Sequence, residues 1–298
     1  MTAQPTADYL CSTLSREAHE PLYGSAPEKR VWLLLQYDQP WGAQAFAESD
    51  LAEPVKAHLS ASLNAIPDSN ILLIRQPGQS REGMRLFVAV VEEAAPCLYA
   101  FTLADYADLL DIDLTALAGG DPTFDHQRSE EALFLVCTNA RRDKCCARYG
   151  VAIYQELRAQ VGESAWQCTH LGGHRFAPTA LFLPHGICYG RIPQSHVVEL
   201  VRRDRAGQLD PDYLRGRVCY RGPVQAADAL LRQQLSLTSL DDLTWIDSQA
   251  DGPDTWVMQA AVQGEKRHIR LQKIRTDAQI YTSCFNDKTA FVEDYRLI

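Results

Sequence analysis

No stretch of this 298-residue sequence approaches the roughly eighteen uninterrupted apolar residues that a membrane-crossing helix needs. The opening residues, MTAQPTADYLCSTLSREAHE, hold no basic segment followed by an apolar one, so the expectation is a cytoplasmic protein with no membrane association. An excess of Lys and Arg is missing too. The net charge of -9 argues against a dedicated nucleic-acid binder and makes the basic cluster Arg141, Arg142 and Lys144 a local feature that needs a local reason. Neither a G-x-G-x-x-G fingerprint nor a Walker motif occurs, so a nicotinamide or flavin reductant is expected on another protein. There is no C-x-x-C pair, which counts against a thiol-disulfide oxidoreductase. Nine cysteines in so long a chain are too sparse and uneven for a disulfide framework. In a reducing compartment they serve as thiols or metal ligands.

What is present has a rough internal echo. VWLLLQY (31–37) has strand character and is followed by the helix-like SDLAEPVKAHLSASL, then by the strand candidates NILLIRQ, MRLFVAVVE and CLYAFTL. ALFLVC (132–137) opens a second unit of the same order, with the helix candidate KCCARYGVAIYQELRAQV and the strand candidates AWQCTH, TALFLP and GICYGRI. Strand, helix, then a group of strands is the arrangement of a thioredoxin-like half. The expected fold is therefore α/β, with two tandem thioredoxin-like units, 1–125 and 126–205, separated by the turn-rich GGDPTFDHQRSE. Residues 206–298 form a third, α+β segment, with a helix over GPVQAADALLRQQL and two strands around QGEK.

The chemistry concentrates in the second unit. Cys137 ends a strand, where α/β proteins present their functional groups, and Cys146 falls just inside the following helix. A helix N-terminus and flanking cations favour the thiolate that a metal takes, which gives Arg141 and Arg142 a reason beside a cofactor. Asp143 is placed to cap that helix. In HLGGH, a helix is disfavoured because each of the two glycines costs about 1 kcal/mol relative to Ala. A tight loop is expected instead, in which Gly172 and Gly173 let the backbone approach a bulky group between His170 and His174.

Two thiolates and two imidazoles suit Zn²⁺, a [2Fe-2S] cluster or, less well, copper. Zinc knuckles space their cysteines two to four residues apart, whereas Cys137 and Cys146 are nine apart, which is more natural around a larger object. Two ferric ions, two sulfides, two thiolates and two neutral imidazoles also sum to zero charge, so reduction is easier than with four cysteines. Cys145, next to Cys146, reads as a packed or spare thiol. Cys11, Cys97, Cys168, Cys188, Cys219 and Cys284 read as ordinary core or surface thiols, with Cys168 able to share a strand face with His170.

The segments EPLYGSAPEKRVWLLLQYDQPWG, CTNARRDKCC, HLGGHRFAP and LRGRVCYRGPVQAAD together resemble the sucrase/ferredoxin-like family. The resemblance implies a thioredoxin-like ferredoxin holding a [2Fe-2S] cluster on Cys137, Cys146, His170 and His174, with Arg142–Asp143 and Gly172–Gly173 as further family elements. It implies one-electron transfer to or from a redox partner protein. A reductase acting directly on a small substrate, or a zinc-binding module with the same four ligands, is the alternative. The sucrase half of the family's name finds no support here, since no carboxylate pair can be assigned to a glycosidase site.

Overall fold

The computed structural model describes residues 9–78 and 82–298. A short helix, α1 (Cys11–Glu17), precedes β1 (Val31–Gln36), α2 (Glu53–Ala65), β2 (Ser69–Arg75), β3 (Met84–Val90) and β4 (Cys97–Leu103). After α3 (Leu114–Ala118) and the two-residue β5 (Arg128–Ser129), the pattern returns as β6 (Leu133–Cys137), α4 (Lys144–Val161), β7 (Ala165–Cys168), β8 (Thr179–Leu183) and β9 (Ile187–Gly190). Then come α5 (Val197–Arg205), β10 (Leu214–Arg217), α6 (Gly222–Leu235) and four strands, β11 (Leu243–Ala250), β12 (Thr255–Val262), β13 (Glu265–Tyr281) and β14 (Thr289–Leu297). The protein is a mixed α/β structure. No helix among the described residues is long and apolar enough to cross a membrane.

One ten-stranded sheet runs through both units, in the order β10-β9-β8-β6-β7-β2-β1-β3-β4-β5. Outward from its middle, β2-β1-β3-β4 and β7-β6-β8-β9 have the same order and the same directions. β1 pairs with β2, and β6 with β7, in parallel, while β3 and β8 run antiparallel to their neighbours. The halves join through a short antiparallel contact, Ile74 opposite Cys168 and Arg75 opposite Gln167.

The apolar runs of the central strands are buried on both faces, and alternation sorts their side chains. On β1, Trp32 and Leu34 enter a core shared by both halves, while Val31, Leu33 and Leu35 pack toward α2. On β6, Leu133, Leu135 and Cys137 belong to the shared core, and Phe134 and Val136 pack with Ile153 and Leu157 of α4. Cys137 therefore points into the face that both halves share.

The last third of the chain builds a separate antiparallel sheet, β11-β12-β13-β14. Helix α6 packs against it through Ala226, Ala227 and Leu231, which meet Met258, Ala260 and Leu271. Asp228 and Arg232 are both fully buried in α6 and pair at 3.1 Å, with Arg232 also donating to the Ser239 carbonyl at 2.7 Å. The far end of the β13–β14 hairpin extends back to the N-terminal segment, where the Tyr9 hydroxyl donates to the Ser283 carbonyl at 3.1 Å, and to the start of α4, where the Cys284 amide donates to the Asp143 carboxylate at 2.9 Å.

Candidate metal centre

Three local features bring the thiols together. Cys137 is the last residue of the fully buried β6. Asp143 caps α4, its carboxylate accepting from the Cys145 amide at 3.0 Å, so the helix starts within a few residues of the strand end. Gly150, one and a half turns into α4, lies where any Cβ would strike the Cys137 carbonyl, so a glycine is what lets the helix approach so closely. The Sγ atoms of Cys137 and Cys146 and a ring nitrogen of His170 lie within 4.8 Å of one another. Cys137 and Cys146 are buried and His170 is half-buried.

His174 stands beside this group and is not within the same 4.8 Å set. Its ring centroid is 5.2 Å from that of His170, with 34° between the planes. The His174 Nε2 lies 2.5 Å from the Thr282 carbonyl, at the tip of the β13–β14 hairpin, and 3.6 Å from the Asp143 carboxylate. A carbonyl only accepts, so Nε2 carries the proton and, in the neutral ring, Nδ1 keeps its lone pair. Burial lowers the His174 pKa against the pull of Asp143, which favours that neutral ring. The Nδ1 atoms of both His170 and His174 are buried with no hydrogen-bond partner. Orphaned buried atoms of this kind are costly unless something fills the gap.

The Cys146 thiol beside it, and then the His170 ring, hold Cys137 well below the usual thiol range despite its burial. Cys146 is pushed well above that range by the Cys137 sulfur beside it and by its own burial. The sequence expectation differs here: it has nearby cations lowering a thiol, but Arg141, Arg142 and Lys144 are exposed. Hydrogen bonding within the site shifts the charge instead. Arg142 lines a cleft of about 300 Å³ with Asn139, Thr169 and His170, while the Arg141 amide donates to the Asn139 side chain.

HLGGH is a loop that ends in a single 3-10 turn, with φ of +83° at Gly172 and +65° at Gly173. Arg215 of β10, 1% exposed, pins it from beneath. Its guanidinium donates to the Gly172 carbonyl at 3.0 Å and to the Ser25 hydroxyl at 3.1 Å and carbonyl. A Cβ on Gly173 would collide with this guanidinium, whereas one on Gly172 would meet open space. Cys168 is buried opposite Cys137 in the parallel β6–β7 pair, and burial raises its pKa, as expected of a core thiol.

Sequence reasoning missed two contributors. Arg215 is hidden in the short, charged LRGR, and the one available signal for Gly150 was an isolated glycine inside a helical pattern. It also treats Cys11, Cys145 and Cys284 as unrelated, whereas the fold gathers them with Asp143 into a second group of potential ligands. No spacing rule could find it, because the three come from distant parts of the chain.

Two converging buried thiols and two imidazole nitrogens without partners form a donor set that fits a metal group with mixed sulfur and nitrogen ligands. Neither a search of the curated proteins nor one of the solved structures returns a match. The family profile described as sucrase/ferredoxin-like matches residues 22–216, well over half of the chain and a span that includes Cys137, Cys146, His170, His174 and Arg215. The chain belongs to the sucrase/ferredoxin-like family.

Proposed function

We propose that the protein is a one-electron carrier whose [2Fe-2S] cluster is held by Cys137, Cys146, His170 and His174. One observation carries the proposal: the Cys137 and Cys146 sulfurs and a ring nitrogen of His170 converge within 4.8 Å, beside two imidazoles whose buried Nδ1 atoms have no partner. When bound, such a cluster supplies one-electron chemistry, at a potential raised by histidine ligation to roughly -150 to +300 mV.

The chain's own residues divide the remaining work. Thr282 fixes the tautomer of His174, the kind of outer hydrogen bond that orients a ligating imidazole. The β13–β14 hairpin covers that ring, which leaves His170, on the wall of the cleft with Arg142, as the imidazole nearest a docking partner and solvent. Arg215 and the two glycines hold the loop that spaces the histidines. Arg141 and Arg142, exposed on the same rim, suit an acidic patch on a separate redox protein. The shared strand order of the two halves supports reading them as tandem thioredoxin-like units divided near residue 125; the segment after about residue 205 first adds β10 to the large sheet and then serves as a cover. A cytoplasmic setting suits a chain that needs its thiols reduced.

The test is the visible absorption and the reduced-state EPR spectrum of protein purified without oxygen. The expected result is a brown protein whose reduced signal has the low average g of histidine-ligated clusters. A colourless protein with stoichiometric zinc on the same four ligands would overturn the electron-transfer function.

A further inference from the structure

Beside the first centre lies a second group of thiols. Cys11 of α1, Cys145 of α4 and Cys284 in the β13–β14 turn form a triangle with Sγ–Sγ distances of 3.6, 3.4 and 3.5 Å. Asp143, fully buried, places Oδ1 3.7 Å from the Cys11 sulfur. Backbone and hydroxyl donors surround the group. The Cys11 amide points at the Cys284 sulfur (3.4 Å) and the Ser12 hydroxyl at the Cys145 sulfur (3.2 Å). The Cys145 and Cys284 amides and the Ser283 hydroxyl all donate to the Asp143 carboxylate, at 3.0, 2.9 and 3.0 Å.

Such an arrangement does not suit a disulfide. A bonded pair would need sulfurs about 2.05 Å apart, and an odd number leaves one thiol over. Nor is it an ordinary apolar core: Leu10, Tyr149 and Ala177 pack around the sulfurs, but a buried carboxylate and backbone and hydroxyl donors reach into the same space. A tetrahedral ion with Zn–S bonds of about 2.3 Å sets its sulfurs about 3.8 Å apart, which is within a few tenths of an ångström of every edge here.

We propose that Cys11, Cys145 and Cys284, with Asp143 as the oxygen ligand, bind one zinc ion at a structural site distinct from the Cys137 centre. Three thiolates and one carboxylate give the same formal charge as a four-cysteine zinc site, and three thiol protons leave on binding. Soft sulfur ligands in a closed tetrahedron select zinc over the hard cations magnesium and calcium. The ion ties together three segments that meet nowhere else in sequence: the short α1, the start of α4 and the hairpin tip. The hairpin tip and the start of α4 are also the segments against His174, since Thr282 lies two residues from Cys284 and Asp143 touches both groups. The clasp closes the first centre whichever group that centre holds.

The test is metal analysis of the full-length protein purified without oxygen, in the wild type and in Cys284→Ser and Cys137→Ser. Wild type should contain one zinc per chain. Cys284→Ser should lose it while keeping its iron, and Cys137→Ser should lose iron while keeping zinc. X-ray absorption at the zinc edge of the wild type needs no variant and should show three sulfur ligands and one oxygen. A wild type with no zinc and only seven titratable thiols after denaturation would mean a disulfide and overturn the proposal. Zinc lost from Cys137→Ser and kept in Cys284→Ser would also overturn it, by placing the zinc at the first centre. An iron-free wild type that still holds one zinc on three sulfurs would defeat the electron-carrier function alone.

Discussion

The two halves of the large sheet have the same strand order, and among the described residues only the second carries a candidate site. In the first half, β1 ends at Gln36, whose side chain accepts from the Arg85 amide at 3.1 Å and donates to Asp38 at 2.9 Å. Its neighbour β2 runs out into Gln76, whose amide donates to the Glu163 and Ala165 carbonyls, both at 2.7 Å. In the second half the corresponding ends are Cys137 and the Cys168–His170 turn. There two thiols converge on an imidazole nitrogen and the imidazole Nδ1 atoms are left without partners. The loops differ accordingly. Residues 37–52 wander before α2, whereas 138–143 turn at once into α4 and carry Cys146 back to the strand end. The same scaffold becomes a site where its buried polar groups are left unpaired, and a structural element where they are satisfied.

Exchanging these strand-end residues should have the largest effect. Cys137→Ser is expected to abolish the proposed metal group, while Gln36→Leu leaves its content unchanged; iron and sulfide analysis with visible spectra decides. Equal loss in both would mean that the halves do not differ in the way described.

Arg215 comes next, because it supports the glycine loop from a buried position. Arg215→Met removes the donor to the Gly172 and Ser25 carbonyls, and hydrogen bonds to a charged group are worth about 1.5–3 kcal/mol each. Urea unfolding should show a loss of at least about 2 kcal/mol. A loss below about 0.5 kcal/mol, the level of an ordinary surface change, would show that the loop holds itself.

A smaller contrast lies within the loop. Gly172→Ala should cost only the left-handed backbone penalty, roughly 1–2 kcal/mol. Gly173→Ala adds a collision with Arg215, so it should cost more and should also disturb the spectrum of the bound group. Equal melting temperatures for the two would remove the arginine from the account.

The smallest effect separates buried charge from function. Burial pushes the Asp204 carboxyl of α5 up to about 6, well above its value of about 3.9 in an unfolded chain. As pH falls the folded chain binds that proton first, so the ionised side chain costs stability at pH 7 and the cost disappears between about pH 6 and 4. Asp204→Asn should therefore melt above the wild type at pH 7 and with it near pH 4, with the metal content unchanged. A lower melting temperature at pH 7 would point to an unseen partner for the carboxylate.

Much of this was readable in advance where a local rule acts on adjacent residues. The spans expected for α4 and α6, 144–161 and 222–235, are those observed, because Asp143 caps the first and Gly-Pro opens the second. β12 and β13 meet at the expected Gln263–Gly264 turn, where both residues have positive φ. β10 was not readable. LRGR looks like an exposed polar loop, yet Arg215 and Arg217 are 1% and 2% exposed because buried carbonyls accept from their guanidinium groups. α5, with three arginines in its nine residues, and the β11 and β14 strands went unassigned for the related reason that one face of each is polar.

The sequence by itself determined the helix that carries Cys146, the glycine loop between the histidines and the alternation that points Cys137 into the shared core, since caps, glycine freedom and strand parity act over a few residues. Only the tertiary structure decided that β13–β14 closes over His174, that Arg215 braces the loop, and that Cys11, Cys145 and Cys284 meet. Those contacts join residues more than a hundred positions apart or charges whose burial depends on distant carbonyls, and no local pattern encodes which distant segments the packed core brings into contact.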